Sequence, residues 1–207
     1  CFTLLKDKRS QHRVLAYRAL RRAGHDMIPH ARHLARDPSP QVRREVALSL
    51  RDLPASRTSS IFVDLARRCD TTDKNSLEAI GLGAANQESV IWTALHEALQ
   101  PGPPAAWTES FARLTWRLWG AASLDHLKNR ATDLSLSLDQ RKFAVESIAF
   151  IDDERASRVM LELASEGSPV KGEATAWLLR NAAGEWARHD LAKGLKERGI
   201  YDPESIT

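Results

Sequence analysis

The chain has 207 residues, 43% of them hydrophobic and 28% charged, a balance that excludes a mainly disordered polymer. Ala (29) and Leu (26) far outnumber Val plus Ile (16), which puts helix formers in excess and excludes a sandwich, barrel or parallel sheet. The formal net charge is +3, but residues 1–50 hold 11 Lys/Arg against 4 Asp/Glu while residues 51–207 carry a net of −4, so one end is marked as partner-facing.

In chain order, Phe2-Thr3-Leu4-Leu5-Lys6 reads as the last turn of a helix already under way. With Cys1 in place of Met and no signal-peptide pattern, the chain is expected to be an excised piece of a longer polypeptide. No apolar run approaches the ~18 residues of a membrane span, so no membrane insertion is expected of this segment. Two cysteines, Cys1 and Cys69, form no disulfide framework, and neither belongs to a CxxC or CxxCH.

The first helical phrase, Val14-Leu15-Ala16-Tyr17-Arg18-Ala19-Leu20, ends at Gly24. The clearest one runs from Asp37 to Pro54. There Val42, Val46, Leu50 and Leu53 recur at helical spacing, Ala47 and Leu48 widen the stripe, and Asp37 before Pro38 suits a turn and cap. The phrase returns at 77–82, 114–118, 145–150 and 174–178. Taking Leu20, Leu50, Leu82, Leu118, Phe150 and Leu178 as equivalent gives spacings of 30, 32, 36, 32 and 28. Second helical patterns lie at Met27–Arg36, Ser59–Arg68, Glu88–Leu99, Leu124–Ala131, Ala156–Ala164 and Trp186–Arg198. The longest interruption is Gln100-Pro101-Gly102-Pro103-Pro104. Six helical hairpins of about 32 residues describe an all-α solenoid, because one hairpin cannot bury both faces and neighbours must stack.

The phrase Asp37–Leu53 resembles a short HEAT-type repeat of the phycobilisome-lyase kind, matched best by the Asp-Pro opening, Val42-Arg43 and Ala47/Leu48/Leu50. The first, fifth and sixth units match more loosely, and the third and fourth poorly. A longer resemblance is carried by Val46–Pro54, Leu77–Ala84, Ala149–Asp153 and Arg198–Glu204. These are similar to large planctomycete and verrucomicrobial multidomain proteins described as haem-binding or membrane-bound dehydrogenase-like. The resemblance implies a β-propeller upstream, a CxxCH cytochrome c domain downstream, and a periplasmic or exported location. It implies no haem or other cofactor here, since no CxxCH occurs in these residues. The expected fold is a right-handed superhelix of about six HEAT-like hairpins, one array over 1–207 with no independent second domain.

HEAT arrays commonly line their concave side with the second helix of each pair. That orientation, carried over from the resemblance, would turn His30, His33, Arg36, Asp64, Arg67 and Arg68 to the groove, with Ile28, Leu34, Ile61 and Leu65 in the core. These six form the expected interaction surface, and the expected role is a non-catalytic scaffold between flanking domains or towards another protein.

Other features compete with that reading. Arg18, Arg21 and Arg22 share a helix face, and with Arg43 and Arg44 they could track a nucleic-acid backbone, contact a missing domain, or be plain solvated surface. His25, His30 and His33 match no zinc spacing, so surface histidines are expected there and no metal. The six Trp residues, 92, 107, 116, 119, 177 and 186, are read mainly as core. An aromatic platform around Trp107, Trp116 and Trp119 is the alternative. A lyase- or glycosylase-like enzyme would need a carboxylate to converge with such rings. Gly81-Leu82-Gly83 lacks the strand-to-helix setting of a nucleotide fingerprint, so close helix packing is expected there. Asp152-Asp153-Glu154 is expected to serve the following helix N-terminus rather than catalysis.

Overall fold

The computed structural model describes residues 2–189 and 191–200. Cys1, with any bridge from it to Cys69, and the Tyr201–Glu204 end of the longer resemblance lie outside the described residues. Every regular element among them is helical, and the chain divides into two compact units, Cys1–Gln100 and Pro101–Thr207. The boundary falls in the Pro/Gly interruption, where Gln100 (φ 45°) and Gly102 (φ 76°) take left-handed backbone conformations.

The first unit holds α1 (Ser10–Arg22), α2 (Ile28–Leu34), α3 (Pro40–Ser49), α4 (Ala55–Ala66), α5 (Lys74–Gly83) and α6 (Glu88–Leu99), preceded by a 3-10 turn at Phe2–Lys6. Pro40 opens α3, where its missing N–H costs no helical bond. Val42, Val46, Ala47 and Leu50 are then at most 1% exposed, as one apolar stripe predicts. The first helices pack side by side, α1 on α3 and α3 on α5. The second helices do the same, α2 on α4 and α4 on α6, with α2–α3, α3–α4 and α4–α5 contacts joining the layers. This is the two-layer stack that repeated hairpins require to bury their faces.

The second unit repeats the plan with α7 (Glu109–Leu118), α8 (Leu124–Thr132), α9 (Leu138–Ala149), α10 (Glu154–Leu163), α11 (Lys171–Ala182) and α12 (Ala192–Glu197). Thr108 caps α7, Ser137 and Gln140 form a reciprocal capping box on α9, and Asp153 caps α10. The first helices again pack in series, α7 on α9 and α9 on α11, and α8 lies on α10. The sixth hairpin departs from expectation. Its second helix is not continuous from Trp186 to Arg198 but is a 3-10 turn, Ala187–His189, followed by the short α12. Trp186 explains the break. Its ring is 1% exposed, its indole N–H donates to the Ile151 carbonyl at 3.1 Å, and its backbone N–H turns back to Asn181.

Side chains stitch successive hairpins at about one repeat length. The Tyr17 hydroxyl meets Ser49 Oγ at 2.7 Å, 32 residues on, and Asn181 donates to the Ala149 carbonyl at 2.7 Å, 32 residues back. Gly83 sits so close to α3 that a Cβ would lie 2.1 Å from the Ala47 carbonyl oxygen. The Gly81-Leu82-Gly83 run therefore serves close helix packing.

Two local expectations change. Asp37 does not cap α3; the N-cap position is Ser39. The Asp37 carboxylate is instead buried against Arg13. Counting from the N-caps Ser39, Asp73 and Ser137, the eleventh residue on is Leu50, Ala84 and Ile148, each fully buried. Leu82 and Phe150, expected there as core equivalents of Leu50, are 44% and 42% exposed, and Leu48 is likewise turned outward. They lie two residues out of phase with the stripe, and a shift of about 200° around a helix moves a side chain from core to solvent.

Candidate interaction surface

On α2 and α4, Ile28, Leu34, Ile61 and Leu65 are all buried. That leaves the polar residues of these helices and of the turns that follow them outside the core. His33, Arg36, Arg67 and Arg68 are exposed, and His30 and Asp64 are half-buried. Arg36 donates from Nε to Asp64 Oδ2 at 3.0 Å, and its Nη2 lies 2.9 Å from the same oxygen. Arg68 approaches the other oxygen of Asp64 at 3.9 Å. Arg67 reaches over α6 to the Ala98 carbonyl at 3.2 Å. Three of the six expected residues thus form one cluster across two hairpins, with Asp64 between two guanidinium groups.

The histidines go elsewhere. The His30 ring packs on Phe2 at 5.4 Å, and Phe2 also meets His25 edge-on at 5.3 Å. Among the described residues no three His, Cys, Asp or Glu side chains are grouped to hold a metal.

Several arginines of the basic first fifty residues are committed to internal partners. Arg13 pairs with Asp37, Arg18 with Glu45 at 2.6 Å, and Arg44 with Asp73 at 2.9 Å. Arg43 donates to the carbonyls of Asp37, Pro38 and Arg68. On the α1 face expected to be basic, Arg21 and Arg22 are exposed beside Arg18. Asp152, Asp153 and Glu154 are likewise engaged, by Arg188, Arg155 and Arg158 respectively. The Arg155 side chain beside Asp153 holds that carboxyl below its ordinary range.

Tryptophan divides between core and surface. Trp92, Trp107 and Trp186 are buried, Trp116 and Trp177 are half-buried, and Trp119 is exposed. The exposed ring is not joined by Trp107, as a platform at 107–119 required. It joins Phe150, which the repeat alignment had placed in the core. Counting phase from the Ser137 cap would have shown Phe150 to lie off the stripe.

Comparison with known proteins speaks to the repeat. Residues 2–81 match HEAT repeats. This segment is HEAT-like. The match spans the first two hairpins and most of α5, and the paired layers of helices in each unit agree with an all-α solenoid architecture. No curated protein and no solved structure shows significant similarity to the chain. Among the described residues, no helix is long and apolar enough to cross a membrane. HEAT repeats commonly serve as scaffolds or interaction modules, which makes an exposed charged cluster shared by two hairpins the natural place to look for a partner.

Proposed function

We propose that the chain is a non-catalytic HEAT-like scaffold that presents the outer face of α2 and α4 to a protein partner. The observation that carries this reading is the Arg36–Asp64–Arg68 cluster, which the last turn of α4 and the turns that follow α2 and α4 build at the ends of two successive second helices. Arginine held by a neighbouring carboxylate keeps its side chain ordered, so less entropy is lost when it pairs across an interface. The finer proposal is that the scaffold joins a β-propeller dehydrogenase-like domain to a c-type cytochrome domain outside the membrane, and holds no cofactor of its own. Its support is the sequence resemblance at Val46–Pro54, Leu77–Ala84 and Ala149–Asp153.

Nucleic-acid binding fits less well, because phosphate tracking needs cations available to replace counterions. Of the five arginines expected to track a phosphate backbone, Arg18, Arg43 and Arg44 already serve carboxylates and carbonyls of their own chain, which leaves the exposed Arg21 and Arg22. A lyase- or glycosylase-like enzyme fits less well for a related reason. The densest carboxylate run, Asp152-Asp153-Glu154, is paired residue by residue with arginine.

The test has two parts. The reading frame around these residues is expected to encode propeller repeats before them and a CxxCH after them; a frame with neither overturns the linker role. Binding of each flanking product to the 207-residue chain is then measured for the wild type and for the triple variant Arg36→Glu, Arg67→Glu, Arg68→Glu. A loss of affinity of about tenfold or more, with unchanged thermal melting, is expected. Equal affinity removes this face from the scaffold.

A further inference from the structure

The first helices of the first unit carry a groove of about 350 Å³ that the scaffold reading does not use. It is built from repeated positions: the second, fifth, sixth and ninth residues of α3 and of α5, and the fifth and ninth of α1. Residues three and four apart share one face of a helix, so the same face of three successive helices makes the floor. The second residues form one edge. Gln41 and Asn75 line it, Gln11 holds the same place on α1, and all three are exposed. Among the described residues, none of these amide side chains has a hydrogen-bond partner. The ninth residues form the other edge, about 10 Å away along the helices. Leu48 and Leu82 stand there, both exposed, with Arg18 at the same place on α1. A single exposed leucine is ordinary. The same position exposed in successive repeats, opposite a row of free amides, is a built feature.

Two features select what such a groove accepts. The first is charge. The lining holds two guanidinium groups, Arg18 and Arg44, against two carboxylates, Glu45 and Glu78. Arg18 pairs with Glu45 at 2.6 Å and Arg44 with Asp73 at 2.9 Å. A charged guest would compete with these pairs, so the complementary guest is uncharged. The second is spacing. Packed helices lie about 8–10 Å apart, so a chain crossing from α1 to α3 to α5 meets the same positions at that interval. A polyproline-II segment turns once every three residues, about 9 Å, and keeps step with the helices. A β-strand repeats every two residues, about 7 Å, and falls out of step. Polyproline-II also makes no internal hydrogen bonds. Its carbonyls and N–H groups are therefore open to a side-chain amide, which offers both a donor and an acceptor.

We propose that this groove binds an uncharged polyproline-II segment of a partner polypeptide that carries leucine at every third position. The leucines of the segment lie against Leu48 and Leu82, and the amides of Gln41 and Asn75 bond its backbone. The outward turn of Leu48 and Leu82, which leaves the core stripe to Leu50 and Ala84, thereby acquires a role.

The experiment titrates the full chain with the capped peptide Ac-Leu-Ala-Pro-Leu-Ala-Pro-Leu-NH2, following the side-chain NH2 resonances of Gln41 and Asn75. Its isomer Ac-Leu-Leu-Ala-Pro-Ala-Pro-Leu-NH2 keeps the composition and breaks the spacing. The in-step peptide is expected to move both resonances and to bind about tenfold more tightly than the isomer. Replacing both alanines of the in-step peptide by arginine, or both by glutamate, should weaken binding. Gln41→Ala with Asn75→Ala should weaken it about tenfold, and Leu48→Ser with Leu82→Ser should abolish it. All four side chains are exposed, so thermal melting should not change; if a variant melts early, the wild-type amide resonances decide the outcome. Equal binding of the two isomers overturns the proposal, and so does tighter binding of either charged peptide. Self-association of the chain that the double leucine variant abolishes would put a second copy in the groove, and overturns it too. The groove shares no residue with the α2/α4 cluster, so its failure is separable from failure of the scaffold surface.

Discussion

The Arg13 guanidinium and the Asp37 carboxylate, 24 residues apart, form a buried two-pronged ion pair across the first two hairpins, with both N–O distances 2.7 Å. A third nitrogen of Arg13 donates to the carbonyls of Asp7 and Lys8, and Asp37 also accepts the Ser39 N–H at 2.8 Å. Arg43, one repeat later, ties down its own preceding turn in the same way, through the carbonyls of Asp37 and Pro38. Pairing with Asp37 raises the pKa of Arg13 above its ordinary value. The same side chains therefore bridge the repeats and fix the entries to α1 and α3.

Breaking that pair from one side should be costly. Asp37→Asn leaves the Arg13 charge buried without its counterion, and is expected to destabilise the fold by about 3–5 kcal/mol in urea unfolding. The double change Arg13→Leu, Asp37→Leu should recover much of that loss. A single change within about 1 kcal/mol of wild type would show that water reaches the site.

Gly83→Ala tests the approach of α5 to α3. The added methyl would meet the Ala47 carbonyl, a backbone group that moves only with its helix. A loss of about 1–3 kcal/mol is expected, against a small effect for Gly172→Ala, where the added Cβ meets nothing within 4 Å.

Asp73 links cap, hydroxyl and guanidinium. It accepts from the Asn75 N–H at 3.1 Å, the Ser76 hydroxyl at 2.5 Å and Arg44 Nη1 at 2.9 Å. The Ser76 hydroxyl is the largest cause holding its pKa below the usual range. A lowered folded-state pKa stabilises above the unfolded value and is lost as pH falls through the folded one. Asp73→Ala should therefore cost about 1 kcal/mol at pH 7. Its gap from wild type should shrink below about pH 4, where the unfolded carboxyl protonates. A gap that stays constant from pH 7 to pH 3 would assign the loss to packing.

Cys69 should be inert in the folded chain. Burial pushes its thiol up to about 11, so at pH 8 about one molecule in a thousand carries the reactive thiolate. In a Cys1→Ser background, alkylation by iodoacetamide at pH 8 should accelerate by about two orders of magnitude on unfolding in urea. Equal rates in both states would contradict that environment.

How much of this was legible in the sequence varies from residue to residue. Val42, Val46 and Leu50 announce their helix because side chains at i, i+4 and i+8 share a face in any α-helix, and Pro40 marks its start, whereas Pro54, expected to stop it, is the N-cap of α4, α3 having ended at Ser49. The outward placing of Arg36, Asp64 and Arg68 was carried over from the resemblance on the condition that Ile28, Leu34, Ile61 and Leu65 are core, and those four are buried. The spacing logic failed at Leu82 and Phe150, where a neighbouring apolar residue, Ala84 or Ile148, fitted the phase set by the helix cap.

By itself, then, the sequence determined an all-helical chain and its hairpin period, both consequences of local backbone geometry and of the spacing of apolar residues. The tertiary structure alone decided that Asp37 faces Arg13 rather than capping α3, that Asp64 stands between Arg36 and Arg68, and that Phe150 meets Trp119 and Trp177 at three helix ends. Apart from Arg68, which follows Asp64 at the local i,i+4 spacing, those partners lie 24 to 31 residues apart along the chain. Nothing in a local pattern specifies which of these side chains meet, because stacking one hairpin on the next brings them together.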